Sequence, residues 1–121
     1  MVEMVIVLPF LMILLFAVIE FGIAFQRWQV VTNAAREGAR AAAIRVQCGG
    51  RAEIEAVAHS YVAAAGIGDD VEIDVSDTCV PRGEPVTVTV RHDFRFSVLD
   101  GLLPSFEAGF PLTGTSVMRK E

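Results

Sequence analysis

Between Met4 and Phe25 the chain runs MVIVLPFLMILLFAVIEFGIAF, with Glu20 as its one ionisable side chain and Pro9 as its one proline. No other stretch restricts the fold as strongly. As an α-helix rising about 1.5 Å per residue the segment reaches about 33 Å, enough for a bilayer hydrocarbon core of about 30 Å. A cleaved secretory signal would need a basic start, an apolar core of about 7–15 residues and a small-x-small cleavage site. Here no Lys or Arg precedes the run, and Gln26-Arg27-Trp28 follows it. The expectation is a single-pass anchor over residues 1–25 that continues without a break into a helix, with residues 26–121 forming one small domain at its end. Pro9 lacks an N–H and predicts a kink in the first turns. Glu20 lies about one turn inside the far end, where it is expected to snorkel outward, pair with Arg27 or face a partner helix.

The chain has 121 residues, so fewer than a hundred remain beyond the anchor. That is near the low end of what folds alone. A net charge of −5 argues against a protein that tracks nucleic-acid phosphates. The two cysteines, Cys48 and Cys79, lie far apart and have no companions at metal-ligand spacing. Behind a membrane anchor their natural reading is one disulfide in an oxidising compartment. The alternative is two buried free thiols.

From Arg27 to Gln47 the helical pattern persists. Ala34, Gly38 and Ala42 repeat every four residues on one face, and Ala35, Ala39 and Ala43 on the next. Small residues at this spacing let another backbone approach closely, although Ala is also simply the best helix former. Cys48-Gly49-Gly50 stops the helix. A second helix is expected over Arg51–Ala65, with an apolar stripe of Ile54, Val57, Ala58, Tyr61, Val62 and Ala65. Gly66 and Gly68 end it. Two alternating strands follow, Val71–Ser76 and Val86–Phe96, as an antiparallel pair. Val86, Val88, Val90, Phe94 and Phe96 share one face of the second, and His92 falls on that apolar face. Val98–Gly109 reads as an irregular connection. Phe110–Met118 is a third strand, placed at an edge or bulged by Pro111 and Gly114.

Three of these places resemble the TadE-like proteins, minor pseudopilins of the Tad (Flp) tight-adherence pilus. Val2-Glu3-Met4-Val5-Ile6-Val7-Leu8-Pro9 is similar to the family's VEFALVLP opening. Asn33-Ala34-Ala35-Arg36-Glu37-Gly38-Ala39-Arg40 is similar to its NAAREGAR signature, the most specific of the three. Thr115–Glu121 resembles its closing segment, which ends in MR-x-E. The resemblance implies a pilin-like α+β fold: a long N-terminal helix, a second short helix and a small antiparallel sheet. It implies a minor pilin or pseudopilin that helps assemble, or forms part of, a Tad pilus used for adherence, biofilm formation or DNA uptake. Its partners would be the major pilin, other minor pseudopilins and the inner-membrane platform. In such families a prepilin peptidase cuts after a glycine, and a Glu about five residues later serves docking or assembly. Glu3 matches that Glu, while the leader glycine has no counterpart before it. The peptidase is therefore a partner only if the natural chain starts upstream of Met1.

Orientation is contested within the sequence. Arg27, Arg36, Arg40, Arg45 and Arg51 would by the positive-inside rule face the cytoplasm. The disulfide reading and the resemblance both place the domain outside a cytoplasmic membrane, or within an extracellular pilus, with the N-terminus inside. That placement is taken forward. No catalytic constellation, cofactor, small-molecule substrate or nucleic-acid partner is expected. His59 reads as a solvated or core histidine, and His92 as a satisfied interior or interface histidine. The acidic stretch Asp69–Asp77 lacks the spacing of a calcium loop and reads as the exposed face of a strand. An alternative reading is a membrane-anchored extracytoplasmic binding or sensor protein, which a pocket of convergent polar groups on the sheet would favour.

Overall fold

The computed structural model describes residues 1–44, 48–68, 70–102 and 109–121, and for Leu99 the backbone alone. Its first element, α1, spans Val2–Ile44 as one 43-residue helix, and it passes through Pro9 without interruption. The final residues of the expected helix, 45–47, lie outside the described residues. The two halves of α1 differ in surroundings. The first residue it buries is Glu20, and from Val31 to Ala43 most of one side is buried.

Gly49 and Gly50 follow with φ of 95° and 82°, a left-handed backbone that favours glycine and reverses the chain. The second helix, α2, spans Arg51–Ala64. It buries Ile54, Ala58 and Val62, a narrower stripe than its pattern implied: Val57, Tyr61 and Ala65 are exposed. A helix this short and Ala-rich is held by docking that stripe.

Strands β1 (Val71–Val75), β2 (Pro85–Arg95) and β3 (Gly109–Arg119) form a three-stranded antiparallel sheet in the order β1-β2-β3. The architecture is α+β, as expected. β2 buries Val86, Val88, Val90, His92 and Phe94 on one face, in the predicted alternation. β3 lies at the sheet edge, paired in continuous register from Pro85↔Arg119 to Arg95↔Gly109, with Pro111 opposite Asp93.

The core forms where Val31, Ala34, Ala35, Ala39 and Ala42 of α1 meet Ile54, Ala58 and Val62 of α2 and Val86, Val88 and Val90 of β2. The side chains from α1 are mostly alanine, so the sheet and α2 come close to its backbone. At Gly114 of β3 the approach is closest. A Cβ there would stand 2.7 Å from Thr32 Cα and 2.8 Å from Val31 O.

One expectation is corrected. The connection after β2 begins with a short helix, α3, at Ser97–Leu102. Its cause lies far away in sequence: the Glu20 carboxylate of α1 accepts a hydrogen bond from the Val98 N–H. That side chain satisfies one of the donors a first helical turn leaves open. Residues 103–108 of the connection lie outside the described residues.

Candidate functional site

The clefts lined by Arg27 and His92, by Phe21 and Phe110, and by Glu55 and His59 all open on the surface. The first half of α1 is an exposed surface as well. The helix contains an 18-residue window of mean hydropathy 2.9, none of it buried, near the N-terminus. It is long and apolar enough to cross a membrane. Glu3 lies in its first turn, exposed, and makes no hydrogen bond or ion pair among the described residues. A carboxylate there is favoured by the open N–H groups and by the helix dipole.

The junction between anchor and domain is set by Glu20, Ala24 and Arg27. Glu20 is 5% exposed and holds the start of α3. Its carboxylate is thus turned into the protein, which replaces the outward snorkelling expected of it. Ala24 packs with Phe94, Leu112 and Phe96. Arg27 stands 5.4 Å from the centre of the Phe94 ring and donates from Nη1 to His92 Nε2 at 3.4 Å. His92 Nδ1 lies 3.0 Å from the Asp70 carbonyl oxygen. A guanidinium can only donate and a carbonyl only accept, so the two contacts together call for a proton on Nδ1 and a lone pair on Nε2. The residue expected to be a satisfied interior histidine is satisfied at both nitrogens. Beside it, Arg27, Asp70, Glu72, Arg91, Asp93 and Arg95 line an open polar cleft of about 880 Å³.

The small-residue stripe has an intramolecular address. Ala34, Gly38 and Ala42 are buried beneath the chain's own α2 and β2. A Cβ at Gly38 would meet Val88 Cγ1 at 3.1 Å and Ala58 Cβ at 3.4 Å. The neighbouring stripe of Ala35, Ala39 and Ala43 is buried as well.

Cys48 and Cys79, 31 positions apart in sequence, are brought side by side at the end of the domain away from the anchor. Both are exposed free thiols, not buried ones. Hydrogen bonding between the two thiols holds Cys79 above its ordinary pKa, with some loss of hydration adding to the shift. Polar contacts hold the surrounding loop, among them three that involve Asp77 and Lys120. Asp77 Oδ1 accepts from the Cys79 N–H at 2.9 Å, Lys120 Nζ donates to the Thr78 carbonyl at 2.8 Å, and the Gly83 N–H donates to the Lys120 carbonyl at 2.8 Å. Sequence reasoning missed Lys120, which looked like an ordinary charged terminus. Glu20 did carry a signal, being alone in an apolar run, but not the address of its partner.

The acidic stretch is dispersed. Asp74 pairs with Arg51 at 3.0 Å, Asp77 serves the loop, and Asp69 lies outside the described residues. Arg51 also pairs with Glu55 at 2.9 Å. Among the described residues no group of three or more His, Cys, Asp or Glu side chains is placed to hold a metal ion. His59 is exposed on α2 beside Glu55 and Ser60, at the edge of a shallow depression.

The model of the family described as TadE-like protein matches residues 1–40. Residues 1–40 are therefore similar to that family. The match agrees with the resemblance carried by the opening and by Asn33–Arg40, and it covers the exposed anchor together with most of the buried small-residue stripe. No curated protein and no solved structure matches the chain. The match ends within α1, and α2 and the sheet lie beyond it.

Proposed function

We propose that this chain is a minor pilin or pseudopilin of a Tad (Flp) pilus. Residues 1–25 anchor it in the cytoplasmic membrane, with the N-terminus inside and residues 26–121 outside. It acts by helix packing and not by catalysis, and its partners are the membrane, the major pilin, other minor pseudopilins and the assembly platform. The observation that carries the reading is the TadE-like match over residues 1–40, on a helix whose first half is apolar and bare and whose second half is a domain core. A bare apolar helix half is the part of such a subunit that a bilayer or neighbouring subunits would cover. Glu3 is the assembly carboxylate, meeting a cation on a neighbour. Cys48 and Cys79 are a disulfide in the assembled protein, each thiol giving up one hydrogen to an external thiol oxidant, which is reduced by two electrons.

The test is made in the native cell with the full-length chain. Cross-linking is expected to recover pilus components, and Glu3→Ala to lower surface piliation several-fold with the protein level unchanged. Normal piliation in that variant removes Glu3 from assembly, and normal piliation without the chain overturns the reading. Intact mass is expected to rise by about 2 Da on reduction, the two hydrogens a disulfide lacks.

The polar cleft of Arg27, Arg91, His92 and Arg95 is the observation that favours the second reading, a membrane-anchored binding or sensor protein. That reading predicts normal piliation without the chain and a ligand-dependent shift in its thermal midpoint.

A further inference from the structure

The domain does not hang free of the anchor, because its near end reaches down beside the last turns of the apolar segment. Glu20 is already inside the domain, taken by the Val98 N–H, and Ala24 is packed on Phe94 and Leu112. A carboxylate one turn inside a membrane span is costly when it faces lipid. Here it faces protein, because α3 descends to its level. On the adjacent side of α1, Phe21, Phe25 and Trp28 are exposed by 66%, 49% and 43%. With Phe110, Pro111, Leu112 and Thr113 of β3 they line an open apolar groove of about 420 Å³. The Phe25 and Trp28 rings are tilted against each other with centroids 5.8 Å apart, and the Phe110 ring centre lies 6.0 Å from that of Phe94 and 5.6 Å from that of Phe96.

Depth decides what fills this groove. With residues 4–25 spanning, Phe25 stands at the edge of the hydrocarbon and Trp28 about 4.5 Å above it, at one 1.5 Å rise per residue. The headgroup layer on each side is about 5–7 Å thick. The groove is therefore continuous with the span and opens at the interface. Its aromatic lining, with the Arg27 guanidinium beside it, is the composition that interface favours.

We propose that this groove is a lipid-contact site, filled by the upper acyl chains of the surrounding bilayer. The Phe110 end of β3 then rests in the membrane interface and seats the domain on it. The inference rests on the anchor reading and goes beyond it, since it assigns residues about 90 positions from the anchor to the bilayer.

The experiment uses the full-length chain, one copy per lipid nanodisc, in a bilayer that mixes phosphatidylcholines brominated near the headgroup end and near the methyl end of their acyl chains, so that every depth of the hydrocarbon carries quencher. Trp28 is the sole tryptophan, so Trp28→Phe gives a silent background. Single tryptophans are placed by Leu14→Trp, Phe110→Trp, Thr113→Trp and Val117→Trp. Val117 is exposed on the same strand, about 24 Å beyond Phe110 at roughly 3.4 Å per residue. Thr113 is the second groove reporter, because Phe110 packs on other aromatics and its replacement could disturb them. The expected result is strong quenching at Leu14 and Phe110, partial quenching at Thr113 and none at Val117. Quenching at Leu14 with Phe110 and Thr113 no more quenched than Val117 overturns the seating and leaves the anchor standing. No quenching at Leu14 overturns both. A blue-shifted Phe110→Trp emission seen only with two or more copies per disc assigns the groove to a second copy and overturns the proposal.

Discussion

Gly114 and Gly38 face closely packed neighbours, and what each neighbour is made of sets its tolerance. The Cβ missing from Gly114 would sit 2.7–2.8 Å from the α1 backbone at Val31 and Thr32, which cannot turn aside as a side chain can. Gly114→Ala is expected to lower stability by about 1–3 kcal/mol, the usual cost of overpacking, measured by denaturant unfolding in micelles. At Gly38 the nearest atom is the Val88 Cγ1 at 3.1 Å, a side-chain atom that need yield by only a few tenths of an ångström. Gly38→Ala also gains about 1 kcal/mol of helix preference, so its net effect is expected to be near zero in the same assay. Glu20 is a third single-residue constraint, since its carboxylate holds the Val98 N–H. Glu20→Ala is expected to cost about 1–2 kcal/mol, the range of a lost cap, and Glu20→Gln less because it keeps an acceptor.

At the scale of elements, α1 is one helix with two environments, bilayer-length and bare at first, then the spine of a packed domain. The β1–β2 loop packs Val80 against the core and is further held by Lys120, Asp77 and the Cys48–Cys79 contact. Closing a covalent loop of about 30 residues restricts the unfolded chain. Oxidation is expected to raise the thermal midpoint by on the order of 10 °C. In the reduced protein the sign with pH follows from the raised Cys79 pKa. The folded state favours the neutral thiol, so that contribution is whole below the ordinary value of 9.0 and is lost as the pH climbs through the raised one. The reduced protein's midpoint is therefore expected to fall above pH 9 by more than that of Cys79→Ser, and the oxidised protein's to lack this component. Thermal melts at several alkaline pH values check both.

Across the whole molecule, α1 contacts α2, β2, β3 and α3. The domain has no core of its own without Val31–Ala43, because the alanine face of α1 is one wall of it. A fragment of residues 48–121 is expected to show no dispersed amide signals in solution, whereas the full chain in micelles shows them. Seated as proposed, the domain would carry its thiol pair at the far end from the bilayer and its aromatic rim against it. That polarity comes from one helix carrying both the anchor and the spine.

The sequence alone determined what depends on local pattern. Twenty-two nearly uncharged residues make an apolar helix in any context, and the alternation in β1 and β2 separates a buried face from a wet one. The Gly-rich stops and the edge placement of β3 follow from backbone sterics, which act within a few residues. The motif Asn33–Arg40 was likewise legible by eye as TadE-like. Tertiary structure decided whatever needed two distant residues to meet. It chose the chain's own α2 and β2 as the partner of Ala34, Gly38 and Ala42, although the same stripe would suit a neighbouring helix. It gave Glu20 the Val98 N–H, which turned an expected loop into α3, and it gave Lys120 the Thr78 carbonyl. Those polar groups needed partners because burial removes water, and only the folded chain settles which donor and acceptor lie within reach.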